Sequence, residues 1–269
     1  MKLRAIVKKL KGLIKPASKQ LINKKDELID FISINNTNEK DIFIAGYPKS
    51  GNTWMQNLIC GLLFGIETSL LPDKLTQELV PDVHAKKFYK RFGTINFFKT
   101  HDLPKKNMRR VIHLVRDGRD VMASYYAMNI AMGKKMTLND MIVDGKDMYP
   151  VSWHEHCRQW LNNPFNADIL IVKYEDLLTD TFNQLKRIVA FSGITRSDDI
   201  INRAILGNSF DEMKRKEKEY GWDNKSWNPE KDFIRKGKMG SYVNEIPEDL
   251  VEIFESKSKA ELKYFNYLK

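Results

Sequence analysis

The chain has 269 residues, 42% of them hydrophobic, enough for one large domain with a proper core and short for two. No run of about 18 apolar residues occurs, so no transmembrane helix is expected, and Cys60 and Cys157 lie far apart outside any C-x-x-C arrangement, which leaves no disulfide framework. The net charge of +10 is unevenly spread: residues 1–25 carry nine Lys or Arg and no acid, while the other 244 hold 36 basic against 35 acidic side chains, a balance that argues against a broad nucleic-acid-binding face.

In chain order, Leu3, Ile6, Val7, Leu10, Leu13 and Ile14 recur at three- and four-residue steps with lysines between them. That pattern is a basic amphipathic helix, suited to an anionic membrane surface or a protein partner, or else packed on the body of the protein. Lysines interrupt every apolar stretch, which is unlike a secretory signal. The expectation is a cytoplasmic protein, with peripheral membrane contact through residues 1–25 as one alternative to packing of that segment on the body. Residues 30–40 read as a polar connection, so residues 1–40 form an extension and linker and residues 41–269 the domain. Buried-strand signatures follow at Ile42–Ala45, Ile95–Lys99, Val111–Val115 and Ile169–Val172. Helical patterns run over Thr53–Leu63, Val121–Met132, Trp153–Trp160 and Thr181–Phe191. Strands alternating with helices predict an α/β fold: a P-loop-containing, three-layer α/β/α arrangement around a central parallel sheet. Ligands of such sheets bind at the carboxyl ends of the strands, where the chemically interesting segments fall.

The stretch Gly46-Tyr-Pro-Lys-Ser-Gly-Asn-Thr53 joins a strand to a helix. Two glycines five apart, with Thr53 two beyond the second, make the skeleton of a phosphate-binding loop, in which backbone N–H groups and the helix dipole converge on an anion. An ATP or GTP loop places lysine directly after the second glycine. Here that position is Asn52, and the lysine is Lys49, two before the glycine. The shift argues against Mg²⁺-dependent nucleotide hydrolysis, and Asp117 and Asp120 follow Arg116 and Arg119, which suit anions or ion pairs better than a metal. His154-Glu-His156-Cys157 is not a metal site, because alternate residues on a helix face apart.

Four segments in order carry a family resemblance. Tyr47-Pro-Lys-Ser-Gly-Asn-Thr-Trp54 resembles the 5′-phosphosulfate loop of the PAPS-dependent sulfotransferases of the cytosolic type, whose usual form has Thr where this chain has Asn52. Lys99-Thr-His-Asp-Leu-Pro104 resembles that family's Lys-Thr-His-Leu-Pro segment, with Asp102 as an extra residue. Val115-Arg-Asp-Gly-Arg-Asp-Val-Met-Ala-Ser-Tyr-Tyr126 resembles its 3′-phosphate strand-turn-helix, and Arg235-Lys-Gly-Lys-Met-Gly240 its late loop. The resemblance implies sulfuryl transfer from 3′-phosphoadenosine-5′-phosphosulfate (PAPS, leaving PAP) to a hydroxyl or amine, without a metal. It implies His101 as general base, Lys49 at the bridging oxygen, Lys99 beside the sulfuryl oxygens, and Ser124 restraining Lys49. It further implies Lys49, Ser50, Gly51, Asn52, Thr53 and Trp54 on the 5′ side of the donor. Arg116, Ser124, Arg235, Lys236 and the Gly237 backbone would hold the 3′-phosphate, and Trp54, Tyr174 and Phe210 the adenine. Asn208 stands where the family usually has Thr.

The acceptor is weakly written: a small molecule, a lipid or a carbohydrate. Ala127–Pro150 is rich in methionine, which lines adaptable apolar pockets but more often fills a core. Lys214–Asp232, charged and carrying Tyr220, Trp222 and Trp227, reads as a mobile flap. No C-terminal dimer motif of the family follows Gly240, which leaves the oligomeric state open. The competing readings are a P-loop nucleotide kinase or NTPase, and a non-catalytic anion- or membrane-binding relative of the fold.

Overall fold

The computed structural model describes residues 31–221, 227, 228 and 230–269, so the basic segment of residues 1–25 and Trp222 lie outside the described residues. Four strands, β2 (Ile42–Gly46), β4 (Phe97–Thr100), β5 (Arg110–Val115) and β6 (Asp168–Lys173), form one sheet in the order β4-β2-β5-β6. Every pairing in it is parallel. Parallel neighbours need long crossovers, and those crossovers cover both faces with helices, which is why these strands read as continuous apolar runs. The α/β class and the central parallel sheet are as the sequence implies.

Side chains alternate between the two faces. Ile42, Ile44, Phe97, Ile112, Leu114 and Val172 face one core, against Met55, Leu58, Ile59 and Leu62 of α1 (Asn52–Phe64). Leu185 and Ile188 of α7 (Thr181–Ser192) and Ile201 of α8 (Asp198–Leu206) complete that layer. Phe43, Ala45, Phe98 and Val111 face the other way, with Trp160 of α5 (Trp153–Asn162). Beyond them lie Val121, Met122 and Tyr125 of α3 (Gly118–Ala131), and Leu250, Phe254 and Leu262 of α10 (Glu248–Tyr264). The shorter helices α2 (Asp73–Leu79), α4 (Leu138–Ile142) and α6 (Tyr174–Thr179) connect these layers, and α9 (Phe210–Tyr220) leads towards the late loop.

The structure corrects three sequence expectations. Within the polar connection of residues 30–40, Phe31–Ser33 forms β1, paired antiparallel with β3 (Phe88–Lys90). The helix expected from Val121 starts at Gly118, where Asp117 accepts the Arg119 N–H and satisfies an otherwise unpaired donor of the first turn. Lys214–Tyr220, placed in a flap, is instead the second half of α9, capped by Ser209, whose side chain accepts the Glu212 N–H. The helix is pinned through Lys216, a buried side chain whose ammonium donates to Asn57 Oδ1 of α1 at 2.7 Å. Of the Met-rich stretch, Met141 is core, while Met128 and Met132 line the cavity described next.

Candidate active site

Each of the four parallel strands delivers a polar side chain to one cavity at its carboxyl end. From β4 come Lys99 and His101, from the turn after β2 comes Lys49, from β5 Arg116, and from β6 Tyr174. The cavity has a volume of about 700 Å³. It is lined by Lys49, Gly51, Asn52, Thr53, Trp54, Lys99, His101, Arg116, Ser124, Tyr174, Asn208, Phe210, Arg235, Lys236 and Gly237. Of the residues named from sequence only Ser50 is outside that lining; it is buried in the loop, its hydroxyl without a partner among the described residues.

The loop is built for close approach to the helix it enters. Lys49 and Gly51 both have left-handed backbone, with φ of 71° and 95°. A methyl group on Gly51 would lie 2.6 Å from the Tyr174 ring, so only glycine lets the ring close on the loop. Asn52 turns back inside it and donates to the Tyr47 carbonyl at 2.8 Å.

Cations crowd the cavity. Burial lowers the Lys49 ammonium to about 7, helped by the neighbouring charges of Arg235, Arg116 and Lys99, with Glu217 opposing them. Its nitrogen lies 4.0 Å from the centre of the Phe233 ring, a cation–π contact. Ser124, buried on α3, lines the same cavity. Arg116 stacks on Tyr174 at 4.5 Å and donates to the carbonyls of Lys49 and Lys238, both at 3.2 Å. The Nε groups of Arg116 and Arg235 are buried donors without a partner among the described residues, an arrangement that costs stability until an anion accepts them.

The late loop is fastened at both ends. Glu217 on α9 accepts the Phe233 and Ile234 N–H groups, and Asp120 accepts the N–H groups of Gly240 and Tyr242 at 2.8 and 3.0 Å. Between these anchors Arg235 and Lys236 share Glu245, at 2.7 and 2.9 Å. Arg119 does not line the cavity: it pairs with Asp117 and Glu255, lies 4.5 Å over the Tyr242 ring and holds the Tyr267 carbonyl.

Along one wall of the cavity, Trp54 meets Tyr174 edge-on at 5.7 Å, and its indole N–H donates to the Asn208 carbonyl at 2.8 Å. The Asn208 side-chain amide donates instead to the Ala204 carbonyl of α8, so its backbone makes the contact with the aromatic wall.

His101 brings an imidazole to the cavity. Its Nδ1 is 2.7 Å from the Gly46 carbonyl, and a carbonyl only accepts, so Nδ1 carries the proton and Nε2 the lone pair. Burial lowers the imidazole to about 4, with the Lys99 charge adding to the effect and the Gly46 hydrogen bond opposing it. Lys99 is itself buried and bonded to Asp82 at 2.8 Å. Asp82, His84, Glu217, Phe233 and Glu245 went unnoticed in the sequence, because each acts through a partner at least 16 residues away, except Glu245, which reaches back nine and ten.

A sulfotransferase-domain family model matches residues 39–266. Sulfotransferase 1E1 of Bos taurus is 27% identical over 256 residues, covering 83% of each chain. Sulfotransferase 2A1 of Rattus norvegicus is 28% identical over 240 residues, covering 81% of this chain and 82% of its own. In fold, the chain is similar to retinol dehydratase solved with androsterone and inactive cofactor PAP, with a TM-score of 0.62, 21% identity, and 85% and 82% of the two chains covered. Mouse sulfotransferase SULT7A1 complexed with PAP superposes with a TM-score of 0.60 at 22% identity, covering 83% of this chain and 86% of the other.

Proposed function

The chain belongs to the sulfotransferase family, and from that premise we propose that it transfers a sulfuryl group from PAPS to a hydroxyl or amine of a small-molecule acceptor, with His101 as general base. The observation that carries this reading is the convergence of Lys49, Arg116, Arg235 and Lys99 on one cavity, where burial first and the neighbouring cations second depress the Lys49 ammonium to about 7. Such a cluster is relieved by a polyanion. The Nε groups of Arg116 and Arg235, without a partner among the described residues, fit its phosphate oxygens. When bound, the donor supplies an activated sulfuryl group on a phosphate leaving group.

The protein's own part is positioning and charge. The backbone of residues 49–53 at the α1 N-terminus, with Lys49, would hold the 5′-phosphate side. Arg116, Ser124, Arg235, Lys236 and the Gly237 N–H would hold the 3′-phosphate, for which the planar guanidinium fork is suited. Trp54, Tyr174 and Phe210 would enclose adenine. His101, neutral across the physiological range with its Nε2 lone pair free, would take the acceptor proton. Lys49 and Lys99 would oppose the charge that develops on the departing and transferred oxygens.

Thermal unfolding with added nucleotide tests the reading. At 100 times its dissociation constant a ligand stabilises by about 2.7 kcal/mol, a shift of roughly 5–10 °C for a domain of this size. 3′,5′-Adenosine bisphosphate should give it, and ATP with Mg²⁺ should not. No shift with the bisphosphate, or a larger one with ATP, would sink the proposal.

A further inference from the structure

Seventeen residues before His101, the chain makes a turn, residues 81–85, that runs beside β4 and touches both polar side chains at that strand's end. Lys99 N–H donates to the Pro81 carbonyl at 2.8 Å and Val83 N–H to the Lys99 carbonyl at 3.0 Å, so the turn extends the sheet by one bridge. From it, the Asp82 carboxylate reaches the Lys99 ammonium at 2.8 Å and accepts the His84 N–H at 2.9 Å. The His84 ring lies nearly parallel to that of His101, with an 8° interplanar angle and centroids 5.7 Å apart. Its Nε2 is 3.1 Å from the His101 backbone nitrogen. A backbone N–H only donates, so His84 Nε2 holds a lone pair and the ring proton sits on Nδ1, on the side of the Tyr149 hydroxyl 3.5 Å away.

The Gly46 carbonyl holds one edge of the His101 ring, and His84 covers its face and receives the His101 N–H. Lysine carries its charge on a flexible four-carbon stem, and Asp82 is the carboxylate that fixes the Lys99 ammonium. We propose that the Asp82–His84 turn positions the reacting pair, Asp82 orienting the Lys99 ammonium and His84 orienting the His101 ring in the tautomer that leaves Nε2 free. This rests on the assignment of His101 as base. Both are positioning residues, since each acts through its neighbour.

Two readouts on the full chain test it. The first is turnover, measured as transfer of labelled sulfate from PAPS to 4-nitrophenol and as its release into water, which needs no organic acceptor. The second is long-range ¹H–¹⁵N NMR of the five histidine rings, assigned by substitution, which reports the His101 tautomer directly. Misplacement by about 1 Å costs on the order of 100-fold in rate, so Asp82→Asn and His84→Phe should each lower kcat about 10- to 100-fold. PAP affinity should stay within about twofold, because neither residue touches the proposed phosphate contacts. His84→Phe should turn His101 into a mixture of tautomers, and His84→Gln, whose side-chain oxygen can accept the His101 N–H, should restore most of the rate. A kcat within about twofold of wild type in both Asp82→Asn and His84→Phe, or an unchanged His101 tautomer in His84→Phe, overturns the inference. Should His84→Phe fail to fold, the near-isosteric Asp82→Asn decides the matter. Failure of the underlying assignment looks different: full turnover in His101→Ala, or no PAP binding by the wild-type chain.

Discussion

Burial and crowding move two side chains of the cavity in opposite senses of usefulness, and each shift makes a separate expectation. The His101 imidazole, lowered to about 4, is neutral at pH 7 and ready to accept a proton. His101→Ala should therefore leave PAP affinity within about twofold and lower turnover by roughly 10²- to 10⁴-fold, the usual weight of a general base; unchanged turnover would remove it from the mechanism. The Lys49 ammonium, lowered to about 7, is largely uncharged at pH 8 in the free protein. An anion beside it raises its pKa again, so binding must take up a proton. Calorimetric titration with PAP at pH 8, repeated in buffers of different ionisation enthalpy, should show uptake approaching one proton. PAP affinity should fall as pH rises through 7, the direction expected when the free protein holds fewer protons than the complex. Lys49→Met should abolish the uptake, and an uptake that survives it would place the titrating group elsewhere.

Among the elements, the late loop makes the sharpest demand on sequence. Gly237 has a φ of 58° and lies against the Phe210 ring so closely that a methyl group there would collide with it. Gly65, at the end of α1, has a similar φ of 64° with nothing within 4 Å of where its methyl would stand. Alanine at either position carries the same backbone cost, roughly 1–2 kcal/mol, but only Gly237→Ala also displaces the Phe210 ring, proposed above to enclose adenine. We expect Gly237→Ala to weaken PAP binding about tenfold, equivalent to about 1.4 kcal/mol, while Gly65→Ala lowers Tm and leaves that affinity alone. Equal affinities in the two variants would show that Phe210 does not contact the nucleotide.

Helix α9 and strand β1 show what local pattern conveys and what it omits. Ser209-x-x-Glu212 is a helix-start signature. The run that follows, Lys214-Arg-Lys-Glu-Lys-Glu219, has too few apolar residues to announce a buried face. It is held instead by the buried Lys216 ammonium on Asn57, a contact 159 residues apart in sequence. β1, at three residues, is too short for an alternation to be read.

At the scale of the whole molecule, acid should be the weak side of its stability. His101 is lowered to about 4, His113 to about 3, and His156 well below its ordinary value, burial being the first cause in all three. Their folded pKa values lie below the unfolded value near 6.5, so the unfolded chain binds protons first as pH falls. The stability these histidines contribute is complete above about pH 6.5 and drains away towards pH 4 and below, at about 1.4 kcal/mol per pH unit for each proton. His113 packs on Trp160 and Phe265. Replacing it with phenylalanine should flatten the pH dependence of stability between 6 and 4 by about one proton, measured by urea unfolding at several pH values. A slope unchanged in His113→Phe would show that this ring does not titrate on unfolding.

From sequence alone came the parallel sheet, the strand-to-helix loop with its displaced lysine, and the side chains that meet at the strand ends. These depend on order along the chain: apolar runs must be buried, a glycine loop must follow a strand, and a parallel sheet gathers its strand ends on one side. The tertiary structure alone decided which partner holds each of those side chains. Phe233 lies over Lys49, Asp82 grips Lys99, His84 backs His101, and Glu217 and Asp120 fasten the late loop. Such pairings follow no local period. They form where the folded chain brings a donor and an acceptor out of water together, and an unpaired charge there would cost more than the contact gains.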